Sequence, residues 1–267
     1  MPNERPPAIA GTFYPGDGAE LDALVARLLS DASPAAEGAE APKALIAPHA
    51  GYPYSGAVAA TAYARLASAR DRIRRVVLVG PSHFVPFRGL AVSSAAAFRT
   101  PLGTVPVDAE GVRTALAHPG TQTLDLAHAR EHSLEAHLPF LQGVLGEFTL
   151  VPLVVGNVDD ERVGRILHDL WGGPETLVVV SSDLSHFLDD ASARDRDAET
   201  ARAIEELEAD RLTPEHACGV RPLRGLLWHA ADTGARIRTL DLRNSGDAGA
   251  PPDRVVGYGA FALEEAH

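Results

Sequence analysis

The chain has 267 residues, 45% of them hydrophobic, which is enough to bury about three-quarters of its unfolded surface; length alone leaves one large α/β domain as plausible as two small ones. A formal net charge of −12 repels phosphate backbones and argues against generic nucleic-acid binding. Apolar runs stop at strand length, short of the roughly 18 residues of a membrane span, and Met1-Pro2-Asn3-Glu4-Arg5 leads into no apolar signal region. The expectation is a soluble cytoplasmic protein that engages neither membrane nor nucleic acid.

In chain order, Leu21–Leu29 has helical spacing after the turn-like Pro15-Gly16-Asp17-Gly18, and Ser33–Pro42 reads as a surface loop. Ala44–Ala47 is a short buried strand ended by Pro48, Gly51–Gly56 a loop, and Ala57–Ala69 a helix. Arg75–Gly80 is a second buried strand, Leu90–Ser93 and Thr104–Val107 shorter ones, and Val112–Ala117 a short helix. The pattern repeats with strand Thr149–Val155, helix Glu161–Leu170, strand Thr176–Val180, and helices Ala191–Ala209 and Leu223–Ala231. Strands Arg236–Leu242 and Val255–Leu263 close the chain. Strands alternating with helices predict an α/β fold with a mainly parallel central sheet flanked by helices. There is no GxGxxG or Walker loop to suggest a nucleotide.

Three of the predicted strands run into histidine-bearing loops: Pro48-His49-Ala50-Gly51-Tyr52, Gly80-Pro81-Ser82-His83-Phe84 and Ser181-Ser182-Asp183-Leu184-Ser185-His186-Phe187. Open α/β sheets bind ligands outside the carboxyl ends of their strands, so parallel strands would gather all three loops on one edge. A lone histidine is more often structural than a ligand, but three at equivalent positions form a pattern, and neutral imidazole is the commonest protein metal ligand. Pro48 and Pro81 would stop their strands, and Gly51, Gly56 and Gly80 permit tight turns and close approach.

A fourth cluster is Glu131-His132-Ser133-Leu134-Glu135-Ala136-His137-Leu138-Pro139. Its histidines are five apart, so it is not the zinc-binding HExxH helix; Glu131, His132 and His137 are expected in the pocket or behind it, as are Tyr52 and Ser82. His118, His128, His168, His216, His229 and His267 lack such context and are assigned to surface or core. The single cysteine, Cys218, excludes an internal disulfide framework. It leaves a core thiol, a nucleophile or a metal ligand, and a position just before a helix would lower its pKa. A thiolate beside imidazoles suits iron, copper or zinc.

Taken together, Ala47–Tyr52, Gly80–His83, Glu131–Pro139, Ser181-Ser182-Asp183 and Cys218-Gly219 resemble the Memo family. Ala10-Gly11-Thr12-Phe13-Tyr14-Pro15 and Gly257-Tyr258-Gly259-Ala260 also fit. The family's prokaryotic members are called AmmeMemoRadiSam system protein B. The likeness runs in order along nearly the whole chain, which implies one Memo-like domain over residues 1–267. It implies a fold similar to class III extradiol dioxygenases, non-haem iron enzymes that cleave catechol rings. It also implies a metal site of His49, His83 and Cys218, with Asp183 and His186 as the catalytic pair and His186 where the dioxygenases keep their acid/base histidine. Those enzymes bind iron with two histidines and a carboxylate; here a cysteine replaces the carboxylate. Val220-Arg221-Pro222 also stands where animal members carry Arg-His-Pro.

Three functions follow from the resemblance. One is an iron or copper redox enzyme acting on a small molecule of unknown identity, in a pathway shared with radical-SAM and AMMECR-type partner proteins. Another is a non-catalytic metal- or peptide-binding adaptor using the same pocket. The third is a zinc hydrolase, which His/His/Cys ligation with an open position would allow.

Overall fold

The computed structural model describes residues 3–32 and 40–265. Most of the loop expected over Ser33–Pro42 therefore lies outside the described residues. The chain begins with β1 (Glu4–Arg5), α1 (Gly18–Asp31), β2 (Ala44–Ala47) and α2 (Tyr52–Tyr63). It continues through β3 (Arg75–Pro81), β4 (Leu90–Val92), β5 (Ala97–Thr100), β6 (Gly103–Pro106), α3 (Ala109–Leu116) and β7 (Thr121–Thr123). Then come α4 (Asp125–Ala129), α5 (Leu138–Val144), β8 (Thr149–Val155), α6 (Asp160–Leu170) and β9 (Thr176–Ser181). The last elements are β10 (His186–Leu188), α7 (Asp190–Glu205), α8 (Val220–Thr233), β11 (Arg236–Asn244) and β12 (Val255–Glu264).

Four strands, in the order β2-β9-β3-β8, form a parallel centre. Their side chains alternate between two apolar layers. Leu45, Val76, Leu78, Leu150, Leu177 and Val179 face the layer shared with α1, α2 and α5. Ile46, Val77, Val79, Val151, Val178 and Val180 face the layer shared with α6 and α8. Burial on both faces is why these strands read as unbroken apolar runs rather than alternating ones. On the second face α6 and α8 cross closely: a Cβ on Gly225 would stand 2.4 Å from a methyl of Val163, and one on Gly164 would stand 2.3 Å from the Trp228 ring. Only glycine permits that approach, and it fixes α8, whose first turn follows Cys218.

The expectation of a mainly parallel sheet needs correction. Outside the four central strands, β12 runs antiparallel to β2, β10 and β11 run antiparallel to β12, and β4 runs antiparallel to β8 while pairing in parallel with β7. The sheet is mixed. The reason is connectivity: β11 and β12 are joined by a short 3-10 turn, Ser245–Ala248, and a few loop residues, too little chain for the crossover that parallel pairing needs. A separate small sheet of β1, β5 and β6 packs at one side.

Local elements also differ from expectation. Gly51–Gly56 is not a loop, because α2 already begins at Tyr52. Pro53 lies in its first turn, where the missing N–H costs nothing and the fixed φ suits a helix. The expected helix Ala57–Ala69 is the end of α2 followed by a 3-10 turn, Ala64–Ala69. The long charged helix stops at Glu205, two residues before Leu207 takes a positive φ of 57°. No helix among the described residues is long and apolar enough to cross a membrane.

Candidate metal centre

The three adjacent strands β2, β9 and β3 deliver His49, Ser181 to Asp183, and His83 to one edge of the sheet. Gly80 makes room for the fourth segment: a Cβ there would meet Ser133 Oγ at 2.8 Å, so the 131–139 stretch lies directly against the end of β3. Ser133 Oγ donates to the Pro81 carbonyl at 2.8 Å and pins this contact.

Imidazoles from three segments converge here. Ligand-capable nitrogens of His49, His83 and His132 lie within 4.8 Å of one another. The ring centroids are 5.1 Å apart for His49 and His83, 5.3 Å for His49 and His132, and 4.5 Å for His83 and His132. His49 is buried, His132 half-buried and His83 exposed at the mouth.

The hydrogen bonds around the rings decide which nitrogens are free. Ser181 Oγ donates its one proton to the Ser133 carbonyl at 2.6 Å, so towards His49 Nδ1, 2.6 Å away, it can only accept. The His49 proton therefore sits on Nδ1 and the Nε2 lone pair is bare. His83 Nδ1 lies 2.8 Å from Glu131 Oε1, a carboxylate that accepts, so the same tautomer holds there. The same oxygen is 3.5 Å from His132 Nδ1. Metal-binding histidines commonly donate their second nitrogen to a carboxylate or an equivalent oxygen, and here both are used.

Charge follows from burial. His49 is pushed well below its ordinary pKa by desolvation and by neighbouring His83 and His132. Desolvation and His83 push His132 down to about 4. Both rings are neutral at neutral pH, as ligands must be. Burial alone would raise Glu131, but the ring and backbone N–H groups of His83 and the Ser133 N–H outweigh it and hold the carboxylate at about 2. A lasting anion thus backs two of the imidazoles. Glu131→Gln is expected to lower metal affinity 10- to 100-fold, the usual cost of removing such a partner; zinc titration against a chromophoric chelator measures it, and an unchanged Kd would remove Glu131 from the site.

A family model described as "Memo-like protein" matches residues 5–262. The chain belongs to the Memo family. It is 37% identical over 265 residues to a MEMO1 family protein of Aquifex aeolicus, covering 95% of this chain and 97% of that one. It is 35% identical over 278 residues to a MEMO1 family protein of Methanosarcina acetivorans, covering 97% and 99%. An uncharacterized protein of Escherichia coli K12 known from a crystal structure shares the fold, with a TM-score of 0.50 at 14% identity over 82% of this chain and 98% of that one.

In this Memo-family chain Cys218 stands outside the imidazole cluster, with Sγ 3.4 Å from His49 Nε2 and 3.3 Å from the Asp183 N–H that points at it. Its thiol is not lowered by the start of α8 as expected. Burial, and secondarily the Asp183 carboxylate, push it up to about 12, because a partial helix charge is outweighed by loss of solvent. A donor set of imidazole nitrogens with an adjacent sulfur fits a borderline or soft d-block cation.

Asp183 does not hold the His186 ring. Its Oδ1 accepts the His49 backbone N–H at 2.8 Å, and its Oδ2 is 4.0 Å from His49 Nε2. Burial raises its pKa against that hydrogen bond. His186 instead directs Nδ1 to the Leu184 carbonyl at 2.8 Å, leaving its Nε2 without a hydrogen-bond partner among the described residues, and it lines a cleft of about 530 Å³ with His83 and Cys218. Ser82 faces a smaller cavity that also reaches Cys218. Two expected pocket residues are supports behind the site. His137 is buried with Nδ1 2.7 Å from Tyr63 Oη. Tyr52 donates to the Ala136 carbonyl at 2.7 Å and packs between Tyr14 and Phe140. Sequence reasoning gave no role to Ser181 or Ser133, the pair that sets the His49 tautomer. Both lie in the segments that carry the family likeness, but a hydroxyl-to-carbonyl bond across 48 residues leaves no local signal.

Proposed function

We propose that this Memo-family chain is a metal-dependent redox enzyme of the non-haem iron or copper type, acting on a small molecule in the cleft beside His83, Cys218 and His186. The observation that carries the reading is the pair of fixed tautomers, which bares Nε2 on both His49 and His83 beside a third neutral imidazole and a thiol. His49 and His83 would hold the ion, with His132 or Cys218 completing the set. Bound there, iron or copper would supply redox and Lewis-acid chemistry, and zinc the Lewis acid alone. A coordinated thiol would be deprotonated despite its burial.

The chain's own residues supply the rest. His186, with Nδ1 committed to a carbonyl, has Nε2 available to take a proton from substrate and return it. Asp183 fixes the His49 loop through the backbone N–H and sets a carboxylate beside the ligand nitrogen. The relation to class III extradiol dioxygenases, and a shared pathway with radical-SAM and AMMECR-type proteins, belong to the same reading.

The test is anaerobic reconstitution with iron(II), copper(I) and zinc in separate samples, then oxygen consumption with catechols. One ion per chain is expected. His49→Ala and His83→Ala should lose it while thermal unfolding stays close to wild type, since loop ligands carry little packing. His132→Ala beside Cys218→Ala shows which one completes the set. Full metal retention in His49→Ala would end the model.

A second reading, a metal- or peptide-binding adaptor, draws on the two aromatic rings at the mouth. Phe84 is 48% and Phe187 59% exposed, and each directly follows a site histidine. It predicts metal uptake with no oxygen consumption on any substrate.

A further inference from the structure

Two cavities are each lined by Cys218. The larger, about 530 Å³, opens past His83 and His186. The smaller, about 220 Å³, runs from Cys218 and Ser82 to Arg221. Its walls combine Pro81, Val85, Phe87 and Val155 with the polar side chains of Ser82, Asn157 and Arg221.

Arg221 is the cation at that end. It lies in the first turn of α8 and commits one N–H, donating from Nη2 to Asn157 Oδ1 at 3.0 Å. No carboxylate oxygen lies within ion-pair distance of it among the described residues. One turn later, Arg224 is claimed by Asp160 at 2.6 Å and Asp210 at 3.3 Å. What sets Arg221 apart from an arginine that merely lacks an ion pair is its place in the wall of a cavity that also reaches Cys218, where its remaining donors can take an external acid. Guanidinium offers five donors in a planar fork that matches a carboxylate, and pockets with apolar walls and one oriented charge bind small organic ligands by that charge.

We infer that Arg221 anchors a carboxylate of the substrate. The ligand is a small organic acid: its acid end occupies the smaller cavity and its reactive end passes Cys218 towards His83 and His186. This rests on the proposal that the imidazole cluster is the reacting centre.

The test compares phenylacetate and succinate with their neutral amides, titrated into the full-length protein by calorimetry, with zinc uptake measured on the same preparations. Wild type should bind the acids at least about 10-fold more tightly than the amides, because a hydrogen bond to a charged group contributes roughly 10- to 100-fold. Arg221→Gln should abolish that preference and leave zinc uptake unchanged. Arg221→Lys, a point charge without the fork, should restore part of it. Equal binding of acids and amides by wild type, no measurable binding of either acid, or an undiminished preference in Arg221→Gln would overturn the inference. If wild type takes up no zinc yet discriminates acid from amide through Arg221, the metal reading fails and the anchor stands.

Discussion

Glu135→Ala is expected to destabilise the protein by about 3–5 kcal/mol, the cost of breaking a buried ion pair from one side. Glu135 is fully buried and contacts Arg5 Nη1 directly. It also accepts from the Ala8 and Ile9 backbone N–H groups at 2.7 and 3.0 Å and from Tyr14 Oη at 2.6 Å. Arg5 in turn donates to the carbonyls of His128 at 2.9 Å and Glu131 at 2.5 Å. The substitution would leave a buried guanidinium with carbonyls alone and strip three more donors of their acceptor. Denaturant unfolding measures the loss; a cost below about 1 kcal/mol would show that the network carries little. Arg5→Met with Glu135→Leu should recover only the part of the loss due to the unpaired guanidinium, since the Ala8, Ile9 and Tyr14 donors still lack their acceptor. The effect reaches the metal centre because Glu131 and His132 lie on the stretch this network ties to the N-terminal segment. Zinc affinity should therefore fall in Glu135→Ala even when the protein is still folded.

The second large effect is at His186. On the proposed redox reading, His186→Ala should keep the metal and lower turnover by about 10²–10⁴-fold, the usual contribution of a positioned acid/base. The ring lies outside the imidazole cluster, lines the cleft, and has Nε2 free. Turnover would be read as oxygen consumption with any catechol that the reconstituted protein proves to oxidise, and metal content by elemental analysis on the same sample. Loss of the ion would make His186 a ligand; an unchanged rate would remove it from catalysis. Asp183→Asn should cost less, because the amide oxygen still accepts the His49 N–H. Its effect should fall on metal affinity rather than on the proton-transfer step, since the Asp183 carboxylate faces His49 and not the His186 ring.

Much of this site was legible from local sequence. Apolar four- to seven-residue runs bounded by Pro48 and by Pro81 mark strands buried on both faces. Parallel strands must end on a common edge, so His49, His83 and the 181–186 segment were bound to meet. What could not be read locally was the orientation of the outer strands, which depends on how little chain joins β11 to β12. The short strands β1, β5, β7 and β10 were also hidden, because two to four residues carry no period of their own.

At the centre itself, the sequence alone placed His49, His83 and the 181–186 segment on loops after buried strands, while the resemblance brought in Cys218 before a helix. The tertiary structure decided their roles. His132 is in the imidazole cluster because Gly80 lets the 131–139 segment close against β3. Asp183 serves His49 rather than His186 because the turn after β9 directs its carboxylate at a backbone N–H of the neighbouring strand loop. His49 presents Nε2 only because Ser181 has already given its proton to Ser133. Those are hydrogen bonds between residues 48 to 134 positions apart. Their direction depends on which donors and acceptors remain after the backbone is paired, a quantity that exists only in the folded chain.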